Sequence, residues 1–147
     1  MIAAERGGRS EYLEYAKELG IADRLVILPP ADLVWVLHAA TDVMISSSRK
    51  EGMPYATLEA LATGTPVVAT DIPGHAYLAE HIDACVVTGH DPAAIAAATA
   101  RVLDRPPEQA AREASEARQW IADNLEMETA AARQMDRFEE LLQARPH

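Results

Sequence analysis

Scarcity marks this chain before any motif does. Its 147 residues include one cysteine and one phenylalanine, and aromatic residues make up only 5%. The lone cysteine, Cys85, cannot form an internal disulfide, and its setting in "ACVVT" reads as a strand interior, where cysteine behaves as a small buried hydrophobe. Basic residues are in deficit, with 13 Lys and Arg against 23 Asp and Glu, a formal net charge of -10. The average field therefore repels polyanions and argues against nucleic acid or an anionic membrane as partner. A small anionic ligand is still compatible where local donors outweigh distant charge, which salt screens beyond about 8 Å. No run of about 18 uninterrupted apolar residues offers a transmembrane segment. Met1 leads within a few residues into "ERGGRSEYLEYAKE", without the apolar core of a signal peptide. The expectation is a soluble, cytoplasmic, helix-rich globule. His38, His81 and His90 have no ligand-like spacing, so no metal is expected. Ser46–Ser48 lack the Gly-x-Ser-x-Gly elbow of a serine hydrolase.

What is present is alternation. The short runs "MIAA", "RLVIL", "DVMIS", "PVVAT" and "ACVVT" are apolar on both faces, as buried parallel strands are. Amphipathic stretches separate them. Ser10–Leu19 carries Tyr12, Leu13, Ala16 and Leu19 at helical spacing, with Gly20 as a stop, and Asp32–Ala40 repeats the pattern with Leu33, Val36, Leu37 and Ala40. Pro54 opens a helix to about Thr63, ended by Gly64; a short helix follows Gly74; Asp91-Pro92 starts another that runs to Asp104. Pro106-Pro107 then punctuates the chain before two helices at about 108–124 and 126–143, whose Trp120, Ile121, Leu125, Phe138, Leu141 and Leu142 read as packing residues. Strand–helix alternation predicts an α/β fold, a doubly wound parallel sheet of about five strands. Residues 1–105 form a Rossmann-like domain, and 106–147 are C-terminal helices packing on it.

In such a sheet the ligand sits beyond the carboxyl ends of the strands. "SSSRKEGMPYATLEALATGTPVVATDIPGH", Ser46–His75, begins at that edge. The helix opening at Pro54 aims the N–H groups of Tyr55, Ala56 and Thr57 into the crevice, where partial positive charge favours a phosphate by about 0.3–2 kcal/mol. Gly52 is read as permitting a turn that a side chain would obstruct. Glu59 lies five residues beyond Pro54, about 7–8 Å along the helix, a reach that spans from a pyrophosphate to a ribose. A carboxylate accepts from both hydroxyls of a cis-diol, at about 1.5–3 kcal/mol per charge-assisted bond. Glu51, on the loop before the turn, faces the far side of the phosphates, where an attached sugar would lie. An exposed helical acid and a helix-start carboxylate favoured by the macrodipole are the bland alternatives for the pair.

This stretch resembles the nucleotide-sugar-binding, C-terminal half of the retaining glycosyltransferases built from two Rossmann domains, the group 1 or family 4 type. The pattern is matched at Ser48, Glu51, Gly52, Pro54, Leu58, Glu59, Ala60, Gly64, Pro66, Val67, Val68, Ala69 and Thr70, and the likeness extends into "EYAKELGIADRLVIL" and "DPAAIAAATARVLD". It implies that Glu51 touches the donor sugar and is the catalytic-site residue, and that Glu59 takes the ribose diol. The amides near Tyr55 and Ala56 would meet the pyrophosphate, Gly52, Met53 and Pro54 would also belong to the substrate-binding stretch, and Leu28 and Pro29 would flank the base. It also implies a nucleoside diphosphate sugar as donor, no metal or other cofactor, and transfer of a hexose to an acceptor hydroxyl with retention of configuration.

Departures qualify the likeness. "MIAA" aligns with the family's second strand, so the first strand, and the Arg and Lys that follow it to neutralise the pyrophosphate, are expected to be missing, as is the acceptor-binding domain. Arg49 and Lys50 read as a solvated pair, and His75 stands where the family often has a small residue. The chain alone is accordingly expected to be inactive. It would need an N-terminal acceptor domain or second chain, with homo-oligomerisation or strand exchange as a route to fill the sheet. Two other readings stand beside the transferase: a nucleotide-sugar epimerase on the same scaffold, and a non-catalytic binding or assembly module.

Overall fold

The computed structural model describes residues 2–4, 9–28, 34–125, 131, 134–138 and 140. The chain divides into two compact units, Met1–Val34 and Trp35–His147. In the first, strand β1 (Ile2–Ala4) leads through helix α1 (Arg9–Glu18) and a 3-10 turn (Ala22–Arg24) to β2 (Val26–Leu28). β1 and β2 pair in parallel, Ile2 opposite Val26 and Ala4 opposite Leu28. Gly20 ends α1 as the sequence predicts. Its φ of 68° lets Ile21 N–H reach the Ala16 carbonyl at 2.9 Å while its own N–H reaches Lys17 at 3.0 Å, the two bonds of a Schellman cap. The expected apolar face of α1 is only partly used, because Ala16 is buried whereas Tyr12 and Leu19 are exposed.

Helix α2 (Val34–Ala39) begins at the boundary, and none of its residues is buried. The second unit then runs β3 (Met44–Ser46), α3 (Tyr55–Thr63), β4 (Val67–Thr70), α4 (Pro73–Ala79), β5 (Cys85–Thr88), α5 (Pro92–Leu103) and α6 (Pro107–Leu125). Its three strands pair in parallel in the order β3-β4-β5. All five expected strands form, but the described pairings make two ladders, of two and three strands, and do not join β1 to β3. The helix expected at 126–143 falls mainly outside the described residues, with Leu141 and Leu142 among those not described; Phe138 is exposed.

β4 is the middle strand and is buried along its whole length, because its side chains serve two cores in alternation. Val67 and Ala69 join Ala60 and Leu61 of α3, Leu78 of α4 and Ala117 of α6, with Trp120 and Ile121 packed at the margin. Val68 points the other way, onto Ala98 and Val102 of α5. Helices thus cover both faces of this ladder.

The caps show why the helices stop and start where they do. Gly64, at φ 84°, closes α3 with another Schellman pair, Thr65 N–H to Ala60 and Gly64 N–H to Leu61, each 2.9 Å. Asp91 caps α5 through Oδ2, which accepts from Ala94 N–H at 3.0 Å, with Pro92 in the first helical position. α4 begins at Pro73, one residue before Gly74, since proline's fixed φ suits the first turn.

Cys85 is buried on β5, and burial pushes its thiol up to about 11 from 9.0. The unfolded chain releases this proton first, so stability is fully present below pH 9 and falls as pH rises from about 9 to about 11, by roughly 2 kcal/mol. Chemical melts of wild type and Cys85→Ala across that range check this. The alkaline loss should shrink in the variant, and a disulfide reagent at pH 8 should label Cys85 only after unfolding.

Candidate functional site

The loop Ser47–Pro54 joins β3 to α3 at the carboxyl end of the three-stranded ladder. Its first half is fixed by hydroxyl groups. Thr70, at the end of neighbouring β4, donates its Oγ1 hydrogen to the Ser48 carbonyl and lies 3.4 Å from the Ser46 carbonyl. The Ser48 hydroxyl in turn donates to Glu51 Oε1. Glu51 is therefore half-buried and oriented from one side.

Its second half is a tight turn onto α3. Pro54, with φ -81° and ψ 75°, sits at the centre of an inverse γ-turn in which Tyr55 N–H donates to the Met53 carbonyl at 3.0 Å. Two expectations are corrected here. Pro54 is the cap residue rather than the first helical residue, and the Tyr55 amide is occupied. Leu58 N–H takes the Pro54 carbonyl at 3.0 Å, which leaves the amides of Ala56 and Thr57 with no acceptor among the described residues.

Gly52 also differs from its expected role. Its φ is not in the left-handed region, and a Cβ built on it would meet nothing within 4 Å. The turn does not need glycine there; the space beside it is open. Gly74 is the glycine that the turn requires, since a Cβ would stand 3.1 Å from Pro54 Cδ and 3.3 Å from the Gly52 carbonyl oxygen. Pro54 is fully buried against this contact, whereas Met53, Tyr55 and Ala56 are exposed.

Glu59, one turn further along α3, is exposed, as are Arg49 and Lys50 on the loop. Leu28 ends β2 in the other unit, and Pro29 lies outside the described residues. Along β3 and α5 runs a groove of about 850 Å³, lined by Ile45, Ser47, Arg49, His90, Ile95 and Thr99. No group of three or more His, Cys, Asp or Glu among the described residues could hold a metal ion.

Sequence reasoning missed His75 as a member of this site. The ring is completely buried, with Nδ1 2.9 Å from the Thr70 carbonyl and Nε2 3.2 Å from Ser46 Oγ and 3.3 Å from Thr57 Oγ1. The available signal was a histidine at the start of a short helix, with hydroxyl residues ending β3 and β4 and opening α3.

A ladder of parallel strands with helices on both faces, and a loop–helix junction at its carboxyl edge, is a doubly wound α/β fold with its ligand-binding edge formed. The model for glycosyl transferases group 1 matches residues 2–105, and the chain belongs to that family. D-inositol 3-phosphate glycosyltransferase of Corynebacterium urealyticum is 45% identical over 94 residues, which cover 61% of this chain and 22% of the relative. The Mycolicibacterium smegmatis protein of the same name is 39% identical over 105 residues, 69% of this chain and 24% of the relative. The chain thus spans about a fifth to a quarter of the length of these relatives. Among solved structures, sucrose-phosphate synthase from Thermosynechococcus elongatus superposes with a TM-score of 0.83 at 20% identity, over 98% of this chain and 39% of that one. Anabaena HepE in complex with UDP-glucose gives 0.76 at 20% identity, over 95% and 40%. At these identities the solved structures speak to the fold alone. No helix among the described residues is long and apolar enough to cross a membrane.

Proposed function

We propose that this chain supplies the donor-binding part of a retaining glycosyltransferase, which moves a hexose from a nucleoside diphosphate sugar to an acceptor hydroxyl. The observation that carries this reading is the β3–α3 junction, where a carboxylate anchored by Ser48 stands beside a helix start whose Ala56 and Thr57 amides lack acceptors among the described residues. Those amides and the helix dipole would receive the pyrophosphate. Glu59 would accept from the ribose diol, and Glu51 from hydroxyls of the donor sugar. Membership of the family supports a nucleotide-sugar donor, and HepE, which shares the fold, is complexed with UDP-glucose.

In the reaction so assigned, the bond from the anomeric carbon to the phosphate oxygen breaks as the acceptor oxygen attacks the same face. The departing phosphate takes the acceptor's proton. The helix dipole stabilises charge developing on that phosphate, without a metal. Holding the acceptor and excluding water fall to the rest of the enzyme, because one wall of a cleft cannot fix both reactants.

Calorimetric titration with UDP-, GDP- and ADP-glucose and the corresponding diphosphates tests the donor assignment. One base should bind in both forms. Failure of all of them would favour an assembly module that binds no donor.

The two glycines give a separate expectation. Gly52→Ala should leave the melting temperature of the free protein unchanged, its stability within about 0.5 kcal/mol, yet weaken binding of the preferred nucleotide sugar, because the methyl group enters the open side of the turn. Gly74→Ala should weaken binding too, but at a cost of about 1–3 kcal/mol in stability, since it presses on Pro54 and the Gly52 carbonyl. Thermal melts with and without ligand separate the two. Unaltered ligand affinity in Gly52→Ala would remove the turn from the site.

A further inference from the structure

We propose that His75 is a positioning residue of the donor edge, a buried latch that holds the Glu51 loop and the first turn of α3 in one register. The inference rests on the reading of that edge as the nucleotide-sugar site. The ring's surroundings fix its proton. A carbonyl oxygen can only accept, so the 2.9 Å contact to Thr70 requires hydrogen on Nδ1. In the neutral ring Nε2 is then an acceptor with a single in-plane lone pair, and the hydroxyls of Ser46 and Thr57 both donate to it. Their distances, 3.2 and 3.3 Å, are long for such bonds, as sharing one lone pair would make them.

These three partners lie at one end of the sheet and belong to three different segments. Ser46 ends β3, Thr70 ends β4, and Thr57 lies in the first turn of α3. From Thr70 the contacts continue outward through its hydroxyl to the Ser48 carbonyl, and through the Ser48 hydroxyl to Glu51. From Thr57 they lead to a backbone amide that has no acceptor among the described residues. One imidazole therefore links the carboxylate assigned to the sugar with the amides assigned to the pyrophosphate. A core needing only volume at this position would be served by an apolar side chain, which would leave Thr57 Oγ1 and the Thr70 carbonyl buried without this partner.

Nitrogen-15 spectra of the histidine rings in the full chain give the first test. The expected signature is protonated Nδ1 with bare Nε2 at His75, and the opposite tautomer would overturn the latch. Thr57→Val then removes one hydroxyl at nearly constant shape. Amide hydrogen exchange across residues 47–57 should rise about tenfold, that of Val67 and Val68 should not change, and UDP-glucose should bind about 3- to 10-fold more weakly.

In a His75→Gln chain the same Thr57→Val change should have no further effect on loop exchange. Where His75→Gln does not fold, Ser46→Ala and Thr57→Val replace it, and their combined effect on exchange should differ from the product of the single effects. Loop exchange indifferent to Thr57→Val, or strictly independent effects of these changes, would overturn the proposal. If the unaltered chain binds no UDP-glucose, the donor reading falls, while the tautomer and the exchange coupling still decide whether His75 is a latch.

Discussion

Glu59→Ala is expected to weaken binding of UDP and UDP-glucose alike by about 10- to 150-fold, whereas Glu51→Gln weakens UDP-glucose and leaves UDP unchanged. The difference comes from position. Glu59 is exposed on α3, beyond the helix start, and has the reach for a ribose that both ligands carry. Glu51 sits before the turn and is held from one side by Ser48, so in the proposed reading its free oxygen would serve only a ligand that extends past the phosphates. Glutamine at 51 keeps an oxygen for the Ser48 hydroxyl and turns the free oxygen into an NH2 donor, which removes the charge and the acceptor on the sugar side. Each substitution removes one or two charge-assisted bonds, about 1.5–3 kcal/mol. Isothermal titration of both ligands against both variants checks the division of labour. Equal losses of plain UDP affinity would refute it.

The largest effect on stability is expected far from that edge. Arg105, between α5 and α6, places Nη1 2.5 Å from Glu113 Oε2, and Gln109 Nε2 donates to the other oxygen at 2.8 Å. The Glu113 side chain is only 6% exposed and that of Arg105 16%, so the pair is shielded from solvent. Arg105→Met leaves the carboxylate in place with Gln109 as its remaining partner. The cost should be about 3–5 kcal/mol, the range for an ion left unpaired in the interior. Arg105→Met with Glu113→Leu should recover most of that loss, because two apolar side chains need no counter-charge. Urea melts of the single and double variants measure this. A single variant within about 1 kcal/mol of wild type would show that the pair is better solvated than its burial indicates. Neither variant should change the discrimination between UDP and UDP-glucose.

Elements whose signals are local were legible in the sequence. β4 is apolar at Val67, Val68 and Ala69 because both its faces are covered, and Gly64 ends α3 because the Schellman cap needs positive φ. Asp91-Pro92 announces α5 for the same kind of reason, a cap and a fixed φ within two residues. What depends on contacts between segments was not legible. That Gly74, rather than Gly52, makes room for the turn follows from the approach of α4 to Pro54, which spacing along the chain does not encode. Occupation of the Tyr55 amide follows from the ψ of Pro54, 75°, a value that proline's fixed φ does not dictate. His75 looked like a departure from a pattern. Its meaning lies in Ser46, Thr57 and Thr70, up to 29 positions away in sequence. Apolar runs mark strands without naming their neighbours, so the break between β1 and β3 was legible only through the resemblance, in which the strand expected to be missing lies between "MIAA" and "DVMIS".

Amide chemical-shift mapping during a titration with UDP-glucose tests the donor edge most directly, because it locates the ligand without relying on a variant. The expected result is saturable shifts concentrated at Ser47–Glu59 and at Gly74, with the Ala56 and Thr57 amides moving furthest, and with UDP reproducing the shifts at Ala56, Thr57 and Glu59 but not at Glu51. Saturable shifts confined to another surface, such as the groove between β3 and α5, with the β3–α3 junction unmoved, would contradict the assignment.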